Sequence, residues 1–234
     1  MRGGVAVRRS ERKDPVITID GPAGAGKSTV AGELARRLGF KRVNTGALYR
    51  ALAWAVRQAG VAPEDGPALR AVLDRTTVES VAERILVDGR DVTGLIRTPE
   101  ISELTSRLTT LQPVRDKMTP LQRELAAEGG VVLEGRDTGS VVCPDAEVKF
   151  YLDADLKTRA RRRQADLRAQ GVELDLAAVE QDLARRDRQD MERPLAPLRR
   201  PEGGVVVDTS ARGLEDVVEE MQKTVERVWC CTGR

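Results

Sequence analysis

The sequence predicts an α/β protein of three layers, α/β/α, built on a central parallel sheet of five strands. Three observations predict it. Short β-branched runs alternate with longer runs of helical periodicity along almost the whole chain. A glycine-rich turn, Gly21 to Gly26, joins the first such strand to the first such helix. One stretch, Thr76 to Val92, breaks the alternation and reads as a small antiparallel insertion. Repeated strand–helix order implies parallel strands with helices on both faces.

Taken in order, Pro15 to Asp20 is short and β-branched and stops at glycine, the mark of a buried strand. Lys27 to Leu38 reads as a helix with Gly39 as its stop. Lys41 to Val43 is a short strand. Gly46 to Ala59 is a helix with Leu48, Leu52, Ala55 and Val56 on one face. Pro67 to Leu73 is a short helix. Inside the insertion, Thr76 to Val81 alternates, Arg84 to Val87 follows, and Asp88-Gly89 signals a hairpin. Pro99 to Thr110 and Pro113 to Glu128 each open on proline, which the first helical turn accepts. Gly130 to Leu133 and Ala146 to Leu152 are strands. Asp155 to Gln170 is a very basic helix ended by Gly171, and Leu174 to Met191 is another that stops before Pro194. Gly204 to Val207 is the last strand and Leu214 to Val228 the last helix.

Composition narrows the function. The chain has 234 residues, 40% hydrophobic and 32% charged, which suits one large domain or one domain with small inserted lobes. Lys+Arg total 39 against 37 Asp+Glu, so no global basic field points to nucleic acid. Aromatics at 3% are too few for a base-stacking platform. No apolar run approaches the ~18 residues needed to span a bilayer. Met1 to Asp14 carries basic residues without an apolar core, so it reads as a tail and not as a secretory signal. The 3 cysteines show no metal-ligand spacing and read as free thiols in a reducing cytosol, hence a cytoplasmic protein. There are 0 histidines, which removes the commonest general base and all Ser-His-Asp and Cys-His chemistry. Phosphoryl transfer survives that loss, because it depends on positioning and charge neutralisation.

The glycine turn carries the chemistry. Gly21-Pro22-Ala23-Gly24-Ala25-Gly26-Lys27-Ser28 fits G-x-x-x-x-G-K-[ST], between a strand and a helix, so the fold is P-loop NTPase-like. The glycines allow backbone N–H groups to curl around phosphate oxygens, and the helix N-terminus adds partial positive charge there. Residues Gly21 to Thr29 are the expected triphosphate site; Lys27 would reach the β- and γ-phosphates and the Ser28 hydroxyl would hold Mg²⁺. A guanine-reading switch needs Asn-Lys-x-Asp, and the only asparagine, Asn44, precedes Thr45. The switch-like string Asp91-Val92-Thr93-Gly94 lies in the inserted patch and is discounted. Val131 to Glu134 would suit a motor ATPase, but Gly135-Arg136-Asp137 puts an arginine beside the phosphates. Arg50, Arg115, Arg186, Arg188 and Arg193 also recur near expected element ends. Arginines converging on one site suit a small kinase that brings two anions together.

Several separated segments resemble the bacterial cytidylate kinases, within the nucleoside monophosphate kinases. They are Thr18 to Pro22 with the glycine loop, Asn44 to Arg50, Asp88 to Thr93 with Ile96-Arg97, Glu134 to Asp137 with Val141 to Ala146, and Arg186-Asp187 through Asp190 and Arg193 to Ala196-Pro197-Leu198. The resemblance runs from about Val16 to about Val225, and it is the order and spacing of the segments together that is specific. It implies a kinase domain over 15–228, with an inserted lobe for the nucleoside monophosphate over about 61–128 and a helical lid over about 171–200. Residues 1–14 and 229–234 would be tails.

The resemblance also implies transfer of the γ-phosphate of ATP to CMP or dCMP with Mg²⁺, by a monomer without nucleic-acid or membrane partners. Thr45, Arg50, Arg136 and Arg193 would surround the acceptor phosphate. Ser106, Arg115 and Asp137 would face the cytosine, and Asp190 the ribose hydroxyls. Lys27, Arg136, Arg186 and Arg193 would act on the reacting phosphates, with Arg186 and, less closely matched, Arg188 in the lid. Gln189 and Met191 stand where other members often carry arginine. Glu134 would be an outer-sphere carboxylate for Mg²⁺ or would orient Lys27. A kinase for UMP or AMP, and a nucleotide-gated binder without turnover, are the alternatives.

Overall fold

Five short strands, β1 (Val16–Asp20), β2 (Lys41–Asn44), β6 (Val131–Gly135), β7 (Val148–Asp153) and β8 (Val205–Asp208), line up in parallel in the order β2-β6-β1-β7-β8. The structure, a computed structural model, describes residues 14–231 apart from Ala82 and Gln170. The expected basic tail up to residue 13, residues 232–234 and the side chains of Cys230 and Cys231 lie outside the described residues. So do Ala82 in the insertion and Gln170 at the expected end of the basic helix.

β1 and β6 are buried along their whole length. Strand geometry sends alternate side chains to opposite faces. Ile17, Ile19 and Val132 accordingly pack with Phe150 and Val207 beneath α1 (Lys27–Leu38) and α8 (Leu214–Cys231). Val16, Val131 and Leu133 face the other way, onto Leu48 and Leu52 of α2 (Thr45–Gln58), Ile101 and Leu108 of α4 (Pro99–Leu108), and Met118 of α5 (Gln112–Ala126). Each fully buried aliphatic side chain contributes about 1.5–3 kcal/mol. The register sets Asp20 opposite both Gly135 and Tyr151, Asn44 opposite Glu134, and Asp153 opposite Asp208. The polar ends of the strands therefore emerge along one edge, where ligands bind in parallel sheets.

The insertion is antiparallel: α3 (Pro67–Arg75) leads into β3 (Val78–Val81), β4 (Arg84–Val87) and β5 (Arg90–Asp91). Asp88 and Gly89, at φ 50° and 77°, make the two-residue hairpin that their chemistry favours. Arg90 lies 5.3 Å from the Trp54 ring centroid, tying this sheet to α2. Asp91 accepts hydrogen bonds from the Thr93 N–H (2.9 Å) and hydroxyl (2.7 Å), so Asp91-Val92-Thr93-Gly94 is a turn and no phosphate switch.

α6 (Leu156–Ala169) and α7 (Leu176–Glu192) share a small core of Ala160, Leu167, Val179 and Leu183. α7 starts at Leu176, not Leu174, because Asp175 caps it through the Ala177 N–H. α8 runs past Val228 to Cys231, since no helix-stopping residue intervenes. Residues 138–142, to which the sequence assigns no element, form a π-helix at Thr138–Val142. Among the described residues no helix is long and apolar enough to cross a membrane.

Candidate active site

The loop from β1 to α1 turns on glycines with φ of 150° at Gly21, 78° at Gly24 and 85° at Gly26. A Cβ on Gly21 would stand 2.0 Å from the Leu152 carbonyl oxygen, and one on Gly24 2.9 Å from that of Arg159. Gly21 thus passes β7 and Gly24 passes α6 only because they lack side chains. Gly21 and Pro22 are buried behind the loop; residues 23–29 line an open cleft of about 670 Å³. Gly26 offers no side-chain cap, so the first-turn N–H groups of α1 remain for an anion.

Lys27 is 7% exposed and donates to the Pro22 carbonyl at 2.6 Å. Burial first, and the Arg136 guanidinium second, lower its pKa to about 7. Glu134, Asp20 and Asp190 offset this only in part, and a bound phosphate would favour the ammonium further. Ser28 donates to Glu134 Oε2 at 2.6 Å, while Glu134 Oε1 is buried with no hydrogen-bond partner among the described residues. An orphaned carboxylate oxygen beside an exposed hydroxyl fits a divalent cation. Glu134 meets Ser28 and does not hydrogen-bond Lys27, which favours the first of its two expected roles. Among the described residues no cluster of three or more acidic, Cys or His side chains offers a full ligand set, so such a cation would rely on phosphate oxygens and water.

Two braces on the loop were not legible as such in the sequence. Arg159 donates to the Ala23 carbonyl (3.1 Å) and to Asp187 of α7 (2.6 Å). Arg162 donates to the Thr209 hydroxyl (2.9 Å) and carbonyl (2.6 Å), and Thr209 donates on to Ala25 O (3.2 Å). In an arginine-rich helix the only signal is the spacing of three, which places both on one face.

A second pocket of about 160 Å³ opens beside the first. Thr45, Arg50, Ser106, Arg136, Asp137, Asp190 and Arg193 line it. The Arg50 Nε is buried without a hydrogen-bond partner among the described residues. Burial pulls the pKa of Arg50 down to about 10 against the raising effect of Glu134, and the cations of Arg97, Arg136 and Arg163 lower it further. Such a guanidinium calls for an anion. Arg136 donates to Asp190 at 2.9 Å; Arg193 donates to Ala196 O at 2.7 Å and to Asp137 at 3.2 Å. Burial lowers the Arg193 pKa too. Thr45 donates its single hydroxyl proton to the Glu134 carbonyl at 2.8 Å, so it meets a ligand only as an acceptor through that hydroxyl.

Arg115 stands apart from the other expected residues: it pairs with Asp137 from behind and does not itself line the pocket. Its guanidinium lies 5.9 Å from the Tyr49 ring centroid. Tyr49, 6% exposed, does line the pocket, although the sequence gives it no site role. Arg186 pairs with Asp182 at 2.9 Å. Arg188 is exposed and lines neither hollow; Met191, 50% exposed, does the same.

The two hollows adjoin and share part of their lining. Gly46, Arg50, Arg136 and Arg186 line both. One site, bordered by main-chain amides and Lys27, faces another ringed by guanidinium groups, and the shared arginines stand where two anions would meet. Guanidinium forks bind phosphate oxygens in pairs and so fix orientation as well as charge.

The family model described as Cytidylate kinase matches residues 17–227. The chain is 46% identical over 220 residues to a protein from Symbiobacterium thermophilum named Cytidylate kinase, covering 92% of this chain and 97% of that one. It is 44% identical over 218 residues to one of the same name from Geobacter sulfurreducens, covering 92% and 94%. An uncharacterized protein from Eubacterium ventriosum shares the fold at TM-score 0.54 with 13% identity, over 92% of this chain and 99% of that one. With a family model over residues 17–227 and relatives 44–46% identical over most of both chains, the chain belongs to the cytidylate kinase family.

Proposed function

We propose that this protein transfers the γ-phosphate of ATP to CMP or dCMP, giving ADP and CDP or dCDP. The observation that carries the reading is the pair of adjoining hollows bordered in common by Arg50, Arg136 and Arg186. The acceptor is a phosphate monoester with a second pKa near ~6, largely dianionic at neutral pH. Its oxygen attacks the γ-phosphorus, and the bond from that phosphorus to the β-phosphate oxygen breaks. No general base is needed, so the absence of histidine costs the mechanism nothing. The barrier is repulsion between two polyanions. Lys27 on the donor side, Arg50 and Arg193 on the acceptor side, and Arg136 and Arg186 between them offset it.

Ser28 and Glu134 would hold Mg²⁺, which supplies charge neutralisation on the triphosphate. Arg186 on α7 helps exclude water, the wrong acceptor. Asp190, held against Arg136, would accept from the ribose hydroxyls. Cytosine presents a donor at N4 and acceptors at N3 and O2, whereas uracil reverses the first two. Asp137 and Ser106, with Arg115 holding Asp137 from behind, match the cytosine pattern and leave unpaired buried groups with uracil. In this reading the enzyme works in the cytoplasm as a monomer.

A coupled ADP-release assay with CMP, dCMP, UMP and AMP tests the proposal. CMP and dCMP should turn over best. Equal rates with UMP would remove the base-reading assignment. Nucleotide binding without turnover of any acceptor would favour a pure binder.

A further inference from the structure

The π-helix Thr138–Val142 begins directly after Arg136 and Asp137. π-helical turns are rare and gather at functional sites. Nothing in Thr138-Gly139-Ser140-Val141-Val142 favours one: glycine and β-branched residues are poor helix formers. The turn is held from outside, at both ends, by side chains of opposite charge. Asp20 Oδ1 accepts from the Thr138 N–H (2.8 Å) and hydroxyl (2.7 Å), and Oδ2 accepts from the Gly139 N–H (2.8 Å). At the other end Arg123 donates from Nε to the Val142 carbonyl (2.9 Å) and from Nη2 to that of Val141 (3.0 Å). An anion on the amide end and a cation on the carbonyl end are what a helical turn's dipole favours.

Asp20 is wholly buried and Arg123 is exposed, and neither lines either hollow. The turn also seats tightly on β1: a Cβ on Gly139 would lie 2.6 Å from Thr18 Oγ1. Arg123 shares α5 with Arg115, which pairs with Asp137. One helix thus grips the segment 137–142 at both of its ends, by Arg115 at the start and by Arg123 at the finish.

We infer that Asp20 and Arg123 are positioning residues that clamp this π-helix and, through it, set the placement of Asp137 that discriminates cytosine from uracil. The inference rests on the cytosine reading above. The clamp acts on the acceptor pocket from outside it. Loosening either end displaces Asp137 relative to Arg115 and Arg193, and a misplacement on the order of 1 Å is felt strongly in such a site.

The test is the ratio of kcat/KM for CMP to that for UMP, measured on the full chain and its variants. In Arg123→Gln the ratio should fall about tenfold while the KM for ATP stays within about twofold. Arg123→Lys, which keeps the charge and one donor direction, should fall between. Asp20→Asn places an amide donor where an N–H already points and should lower the ratio similarly. A merely structural role would lower the melting temperature and the active fraction, but it would reduce both substrates alike and leave the ratio at its wild-type value. An unchanged ratio in Arg123→Gln overturns the inference, and that variant decides alone if Asp20→Asn does not fold. A wild-type enzyme without preference for CMP overturns the cytosine reading and this inference together. A wild-type preference for CMP whose ratio is unchanged in the variants overturns this inference alone.

Discussion

Replacing Lys27 by Ala should lower turnover by about 10²–10³-fold or more, the scale of losing a principal charge-stabilising donor. The circular dichroism spectrum should stay that of the wild type. The side chain is 7% exposed and makes one hydrogen bond, to Pro22 O, so its removal leaves no buried carboxylate in contact without its partner. Its value to the protein is electrostatic and becomes large only when phosphate arrives. The pH dependence gives a second readout. Burial and Arg136 lower the Lys27 pKa from 10.5 to about 7 in the empty site. Between those values the unfolded chain holds the proton and the folded chain does not. Stability of the ligand-free wild type should therefore rise with pH across that window through this residue, and Lys27→Ala should lack that contribution. A bound triphosphate restores the cation, so ATP binding above pH 7 should take up a proton. Calorimetry in two buffers of different ionisation enthalpy would detect it. Activity retained in Lys27→Ala would contradict this placement.

Arg115→Ala should harm the use of CMP far more than the affinity for ATP. Arg115 and Asp137 side chains are 6% and 9% exposed, and Arg193 also reaches Asp137 at 3.2 Å. Truncating one partner of a buried pair costs about 3–5 kcal/mol, and here the lower end applies because Arg193 still faces the carboxylate. The fold should survive with a reduced melting temperature. For CMP, kcat/KM should fall about 100-fold, the scale of a misplacement on the order of 1 Å, here of Asp137 released from behind. The KM for ATP should hold, since Arg115 does not border the glycine-loop cleft. A variant that lost ATP binding instead would show that Arg115 serves the other half of the site.

The strand–helix order was legible because its signals are local. Lys27 to Leu38 is the expected helix to the residue, with Gly39 closing it in the left-handed region. The hairpin at Asp88-Gly89 came from turn chemistry in the same way. What was not legible depends on partners far away in sequence. The π-helix needs Asp20, 118 residues earlier, to hold the Thr138 N–H, and no local pattern announces it. Arg159 reads as one basic residue among many until the fold brings Ala23 and Asp187 to it. Tyr49 carries no local signal of a role, and only the fold shows that it borders the acceptor pocket and that its ring lies near Arg115. In the opposite direction, Gly21 and Pro22 match the phosphate-loop string, yet they pass behind the cleft because β7 crowds them there.

The central claim is that a triphosphate and a monophosphate lie end to end across the shared arginines. Diffraction from the protein with CMP and a non-hydrolysable ATP analogue measures this most directly. The account predicts the CMP phosphate between Arg50, Arg136 and Arg193, pointing at the terminal phosphate of the analogue beside Lys27. It is contradicted if CMP binds away from those arginines, or if its phosphate points away from the glycine loop.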